Sequence, residues 1–132
     1  MVPDRIDSEE ALINEFLVPL AAEFPGALDL VDDCAVIAPG AGEELVVTTD
    51  AVVANTHFFP DEDPEAIAWK ALAVNVSDLV AKGATPLAYL MALGLPEAPE
   101  RAWLAAFSDG LRRAQETFGC RLAGGDMDRT QS

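Results

Sequence analysis

The stretch Asp63-Pro-Glu-Ala-Ile-Ala-Trp-Lys-Ala-Leu-Ala-Val-Asn-Val-Ser-Asp-Leu-Val-Ala-Lys-Gly83 sets the layout of the chain. Asp63 and Pro64 form a good N-cap and first-turn pair, and Gly83 is a natural stop. The residues between them predict a helix. Its second half is so apolar that it must be largely buried. Helical spacing puts Ala71, Val74, Asn75 and Asp78 on one stripe. Before it, Leu45-Val-Val-Thr-Thr-Asp-Ala-Val-Val53 is rich in β-branched residues and reads as a strand. After it, Pro86 to Gly94 reads as another strand. Further out, Cys34 to Ala38 is a short apolar run that stops at Pro39-Gly40, so a strand and turn are expected there. Asp7 to Leu17 reads as a first helix, with Asp7 as N-cap, Glu10 completing a capping box and Pro19 ending or kinking it. A third helix is predicted from Pro99 or Glu100 to Phe118, closed by Gly119. Leu122-Ala123 ends a short strand, and Gly124-Gly125-Asp126 is expected to be the turn behind it. The order is roughly α, β, β, α, β, α, β. That is an α+β domain, a mixed sheet with helices packed on one face.

The chain has 132 residues, enough for one domain with a substantial core. A positive mean hydropathy of +0.19 argues against disorder. No apolar run approaches bilayer length, and the acidic start of the chain does not resemble a secretory signal. Cys34 and Cys120 lie far apart and fit no metal-ligand spacing, so reduced thiols in a cytoplasmic protein are expected. A formal net charge of -15 disfavours nucleic acid or an anionic membrane as partner. Between Arg5 and Lys70 there is no lysine or arginine, yet that interval holds fifteen Asp and Glu residues. There is no internal repeat. The chain stops after Arg129-Thr130-Gln131-Ser132, directly behind a glycine pair, and is expected to be the first part of a longer protein.

Four places carry carboxylates that a purely structural chain rarely needs. Asp32-Asp33 precedes the apolar run at Cys34; a solvated loop would explain it equally well. Thr48-Thr49-Asp50 lies in the middle of an apolar strand and offers three oxygen ligands, suited to a hard cation such as Mg²⁺. An edge strand facing water is the plainer alternative. Asp78 lies in the apolar helix, where an i,i+4 pair with Lys82 would account for it but not for neighbouring Asn75 and Ser77. Asp126 follows Gly124-Gly125, and glycines let a backbone approach a phosphate closely; a plain turn is the alternative. Together these are carboxylates on separate elements, with few basic residues. The combination suits phosphoryl transfer in which divalent ions supply the positive charge.

These residues also carry a family resemblance. Asp32-Asp33-Cys34-Ala35, Thr48-Thr49-Asp50, Asn55-Thr56-His57-Phe58, the Lys70 to Leu79 block, Gly83-Ala84-x-Pro86 and Gly124-Gly125-Asp126 occur in the order seen in thiamine-monophosphate kinases. The resemblance runs from about Asp32 to the end, and the Lys70 to Leu79 block is its most specific part. The family belongs to the aminoimidazole-ribonucleotide-synthetase-like superfamily, with selenophosphate synthetase and a hydrogenase maturation factor.

The resemblance implies an enzyme that moves the γ-phosphoryl of ATP to thiamine phosphate, giving thiamine diphosphate. It implies homodimers whose sheets join in a barrel, with ATP and several Mg²⁺ ions beside it. Residues 1–132 would be the N-terminal ATP- and magnesium-binding domain, without the C-terminal domain. By motif, Asp33, Thr48, Thr49, Asp50, Asp78 and Asp126 would be metal ligands. Gly125 and Asp126 would face the nucleotide, Ser108 stands where the family has a nucleotide-side tyrosine, and His57 would meet thiamine phosphate. The chain departs from the family pattern at Val31 and Asn55, where glycines are usual, at Ser108, and at Met127, where threonine is usual. Two other readings remain: a superfamily member acting on a different substrate, and a non-catalytic acidic dimerisation or metal-binding module.

Overall fold

The computed structural model describes residues 4–131. Its centre is a β-α-β unit. Strand β1 (Ala88–Leu95) and strand β2 (Arg121–Arg129) pair in parallel, and helix α4 (Arg101–Phe118) is the crossover that a parallel pair requires. Helix α3 (Pro64–Ala81) packs along α4. The expected helix signals hold at α3: the Asp63 carboxylate accepts from the Glu65 N–H, Pro64 opens the first turn, and Gly83 follows at φ +79. They hold at α4 as well, where Gly119 takes the left-handed φ of +76.

The first helical segment starts one residue later than Asp7 would have it. Ser8 is the N-cap, its Oγ accepting from the Ala11 N–H at 3.2 Å. The segment runs through α1 (Glu9–Leu12), a π-helical turn (Ile13–Leu17) and α2 (Val18–Ala21). Pro19 has no N–H to donate, and the wide turn directly before its segment absorbs that loss without ending the helix. A 3₁₀ segment, Pro25–Leu30, leads on to Asp32.

The sheet is smaller than the sequence suggests. Cys34 to Ala38 and Leu45 to Val53 join no ladder, and Gly124-Gly125-Asp126 is not a turn but the middle of β2. β-Branched composition makes a segment fit a pleated surface, but a strand also needs an edge to bond to. Within one chain these two segments find none. Val47 is 85% exposed, and Leu45, Val46 and Val53 are also exposed.

The core lies between the helices and one face of the sheet. Leu12, Phe16, Leu20, Ile67, Phe107 and Leu122 form its heart, with Tyr89, Met91 and Leu93 of β1 packed against it. Residue alternation along β1 is visible in this burial, although both faces are apolar in composition. Leu90, on the opposite face, is 64% exposed. Helices pack against the face of the sheet that carries Tyr89, Met91 and Leu93. A side-chain network ties α4 to the sheet: buried Gln115 accepts at Oε1 from the Tyr89 hydroxyl at 2.7 Å and from the Leu122 N–H at 3.0 Å. Gly110 lets α3 and α4 approach closely, since a Cβ there would lie 2.3 Å from the Glu65 carbonyl oxygen.

Candidate functional site

Two groups of the sequence-singled residues come together, on different parts of the fold. The first lies where the loop after Leu30 crosses β2. The Gly125 N–H donates to the Asp33 carbonyl at 3.1 Å. A small cavity of about 40 Å³ opens here, lined by Asp32, Asp33, Gly124, Gly125 and Asp126 together with Ile13, Leu17, Leu30, Met91 and Leu122. Asp33 and Asp126 are exposed at it. Asp32 holds its own turn, its Oδ1 accepting from the Cys34 N–H at 3.0 Å.

The glycines of this site have a structural task. A Cβ on Gly124 would fall 2.6 Å from the Asp33 carbonyl oxygen. One on Gly125, at φ +145, would fall 1.9 Å from the Met91 carbonyl oxygen. Their bare backbone lets β2 sit between β1 and the Asp33 loop. That is the same property expected to admit a phosphate, used here on protein backbone. The approach to Asp33 is through Leu28, Asp29 and Leu30, all with positive φ (51°, 56° and 56°). Such backbone is uncommon for residues with a Cβ.

The second group lies on α3. Asn75 Nδ2 donates to the Asp50 carbonyl at 3.1 Å and to the Ala71 carbonyl at 2.9 Å. Lys70 Nζ donates to the His57 carbonyl. Between those two anchors the chain makes a tight turn. The His57 N–H donates to the Val53 carbonyl at 2.8 Å, and the Val53 N–H donates to His57 Nδ1 at 2.9 Å. Asn55, where the family has glycine, sits at φ +67. Thr49, Asp50 and His57 are exposed and Thr48 is half-buried. Asp78 is exposed further along α3, and no ion pair joins it to Lys82 among the described residues. Ser108 stands apart from both groups. It is 4% exposed within α4, and its hydroxyl donates to the Ala105 carbonyl at 3.1 Å.

Among the described residues no three of His, Cys, Asp and Glu converge as metal ligands. The carboxylates remain divided because residues 45–53, which carry Thr48 to Asp50, have no ladder to draw them towards β2. The donor chemistry nevertheless suits a hard divalent cation. Glu9, Asp32, Asp33 and Asp126 line the cavity, and no lysine or arginine lines it. An anion would meet only repulsion there unless a cation intervened. Five arginines are already engaged: Arg101 with Asp4 and Glu15, Arg113 with Glu65, Arg121 with Glu23, Arg112 with Asp109, and Arg5 with Glu97 and Glu100. Sequence reading missed Asp32 as a turn-former, and it missed Lys70 as an anchor. Asn75 was visible as an unexplained polar residue on an apolar stripe.

The family described as AIR synthase related protein, N-terminal domain, matches residues 31–132. The chain belongs to that family. Among curated relatives, the thiamine-monophosphate kinase of Synechococcus elongatus is 42% identical over 128 residues, 96% of this chain and 38% of that protein. The chain thus spans under half the length of the relatives it matches. The crystal structure of thiamine-monophosphate kinase from Stenotrophomonas maltophilia superposes with a TM-score of 0.79 at 36% identity, covering 98% of this chain and 41% of that one. The structure of AaThiL complexed with AMPPCP and TMP superposes with a TM-score of 0.56 at 39% identity, covering 58% of this chain and 25% of that one. The mixed α/β architecture of this AIR synthase related domain is therefore shared with solved kinases of this kind. No helix among its described residues is long and apolar enough to cross a membrane.

Proposed function

We propose that residues 1–132 are the N-terminal, ATP- and magnesium-binding domain of a thiamine-phosphate kinase. Its reaction is transfer of the γ-phosphoryl of ATP to thiamine phosphate, giving thiamine diphosphate. The observation that carries the reading is the placement of Asp33 against Gly124-Gly125-Asp126 in a cavity lined by acids and no cation, in a chain resembling kinases over most of its length. Asp33, Thr48, Thr49, Asp50, Asp78 and Asp126 would hold Mg²⁺, which supplies the charge neutralisation a polyphosphate needs. Gly125 and Asp126 would border the nucleotide. Ser108 enters only as the occupant of the tyrosine position, with its hydroxyl turned to Ala105. His57 would meet thiamine phosphate. Its Nδ1 already accepts from the Val53 N–H, so the neutral ring carries its proton on Nε2, a donor free for an anionic group.

The same reading assigns the uncovered apolar surface to a second copy. Val31, Val47 and Phe59 are exposed on segments that join no ladder, and Leu90 is exposed on the face of β1 turned away from the core. Patches of this kind mark interfaces, and pairing two copies would complete a barrel-like sheet. Sedimentation at micromolar concentration is expected to show a dimer, and a monomer throughout would contradict it.

The divided ligand set supports a second reading for the chain by itself, a binding or dimerisation module without turnover. Holding both substrates in register can be worth about 7–11 kcal/mol of barrier, so the chain alone is expected to form little thiamine diphosphate. The two readings part on Mg²⁺. A ligand that binds only the folded state raises the melting temperature by mass action. Millimolar MgCl₂ with AMPPCP is expected to raise it, and Asp126→Asn or Asp78→Asn to leave the metal-free protein at least as stable while shrinking that gain. An unchanged gain in Asp126→Asn would remove that residue from the ligand set.

A further inference from the structure

The residues between Asp50 and His57 carry two of the proposed functional side chains yet belong to no helix or strand. Among the described residues a single bridge, Ala54 with Phe58, is their only ladder-type contact. A segment with so few backbone partners would ordinarily fray. What holds it is α3. Asn75 bonds the carbonyl of Asp50 and Lys70 bonds the carbonyl of His57, one at each end. Both donors use backbone oxygens, so neither pin occupies the Asp50 carboxylate or the His57 ring, and both residues are exposed. Asn75 also bonds the Ala71 carbonyl one turn earlier, which fixes its amide against rotation.

We propose that Lys70 and Asn75 are positioning residues: two donors on one helix that pin both ends of the 50–57 segment, setting the spacing of Asp50 from His57 and the tautomer of the His57 ring. This inference rests on the proposed kinase reading for what His57 and Asp50 contact. It does not rest on that reading for the pinning itself. The turn brings the Val53 N–H to His57 Nδ1, and that bond keeps the ring proton on Nε2. The pin at the His57 carbonyl keeps the turn closed. Loss of Lys70 therefore acts on a ring whose own atoms it does not touch.

The chain contains one histidine, so its imidazole ¹⁵N signals need no assignment. In the metal- and nucleotide-free protein at about pH 8, where an ordinary histidine is neutral, the wild type is expected to show a single Nε2–H tautomer. Lys70→Met is expected to give tautomer averaging and to speed exchange of the His57 and Val53 amides by tenfold or more. Exchange along the centre of α3 is expected to stay unchanged, and Lys70→Arg to restore the wild-type signature. Asn75→Leu, tested independently, is expected to speed exchange at the Val53 amide, which is bonded to His57 Nδ1, with the α3 amides still protected. A structural role of Lys70 in the helix alone would move the α3 amides and leave the tautomer unaltered. Wild-type tautomer and exchange in both Lys70→Met and Asn75→Leu would overturn the proposal. Because these readouts use no ligand, failure of the wild type to bind Mg²⁺ and AMPPCP would count against the kinase reading and not against the pinning.

Discussion

Gly125→Ala is expected to lower the unfolding free energy by about 2–6 kcal/mol, from roughly 1–3 kcal/mol of backbone strain and a similar overpacking cost. The two contributions have separate origins. At φ +145 a side chain strains the backbone wherever it points. In addition the new Cβ would lie 1.9 Å from the Met91 carbonyl oxygen and 2.7 Å from the Met91 nitrogen. Both are main-chain atoms of the paired strand, so no rotamer change relieves the clash; β1 and β2 must separate where they pair Met91 with Gly125. Gly42→Ala separates the terms. Gly42 has φ +78 but open space around it, so its loss is expected to be only about 1 kcal/mol, the strain alone. Urea midpoints of the two variants check this. Equal losses would show that the β1–β2 approach at Gly125 is looser than described.

Gln115→Leu is expected to cost about 2–6 kcal/mol, because it strips the acceptor from two groups at roughly 1–3 kcal/mol each. The Leu122 N–H and the Tyr89 hydroxyl both donate to Gln115 Oε1, and leucine, of similar size, offers no acceptor in its place. The same network gives the protein an alkaline limit. Burial, and next the Cys120 thiol, push the Tyr89 hydroxyl above its ordinary value of 10.0. Its raised folded pKa means the folded state holds the proton more tightly than the unfolded chain. The associated stability is fully present below pH 10 and is lost as pH rises beyond it. Burial pushes the Cys120 thiol up as well, in the same sense. Guanidinium midpoints between about pH 9 and pH 11 are expected to fall, and to fall less steeply in Tyr89→Phe. That variant starts lower at neutral pH, having lost its bond to Gln115.

The elements carried by local chemistry were legible in the sequence. Asp63-Pro64 and Gly83 bracket α3, and Gly119 closes α4, because caps and glycine turns act within a few residues. The Ser8 cap was missed by one position since Asp7 and Ser8 are both competent caps. What was not legible depends on partners distant in sequence. Residues 45–53 have the composition of a strand and no edge to join. Gly124-Gly125-Asp126 looks like a turn, but it is a place where three backbones crowd together, as the clashes with Asp33 and Met91 show. At the site, motif order singled out Asp33 and Asp126 but not the cavity they share, and the pins from Lys70 and Asn75 likewise required the positions of backbone atoms. Ser108 illustrates the limit of motif transfer: its place in the pattern gives no hint that its hydroxyl is buried against Ala105.

On the proposed function, the acidic cavity between the Asp33 loop and β2 would take nucleotide only through divalent cations. Calorimetric titration of the chain with AMPPCP, in millimolar MgCl₂ and again in EDTA, tests it most directly. Binding with Mg²⁺, none in EDTA, and at least tenfold weaker binding in Asp126→Asn is the result expected. Absence of binding in MgCl₂, or equal binding in EDTA, would contradict it.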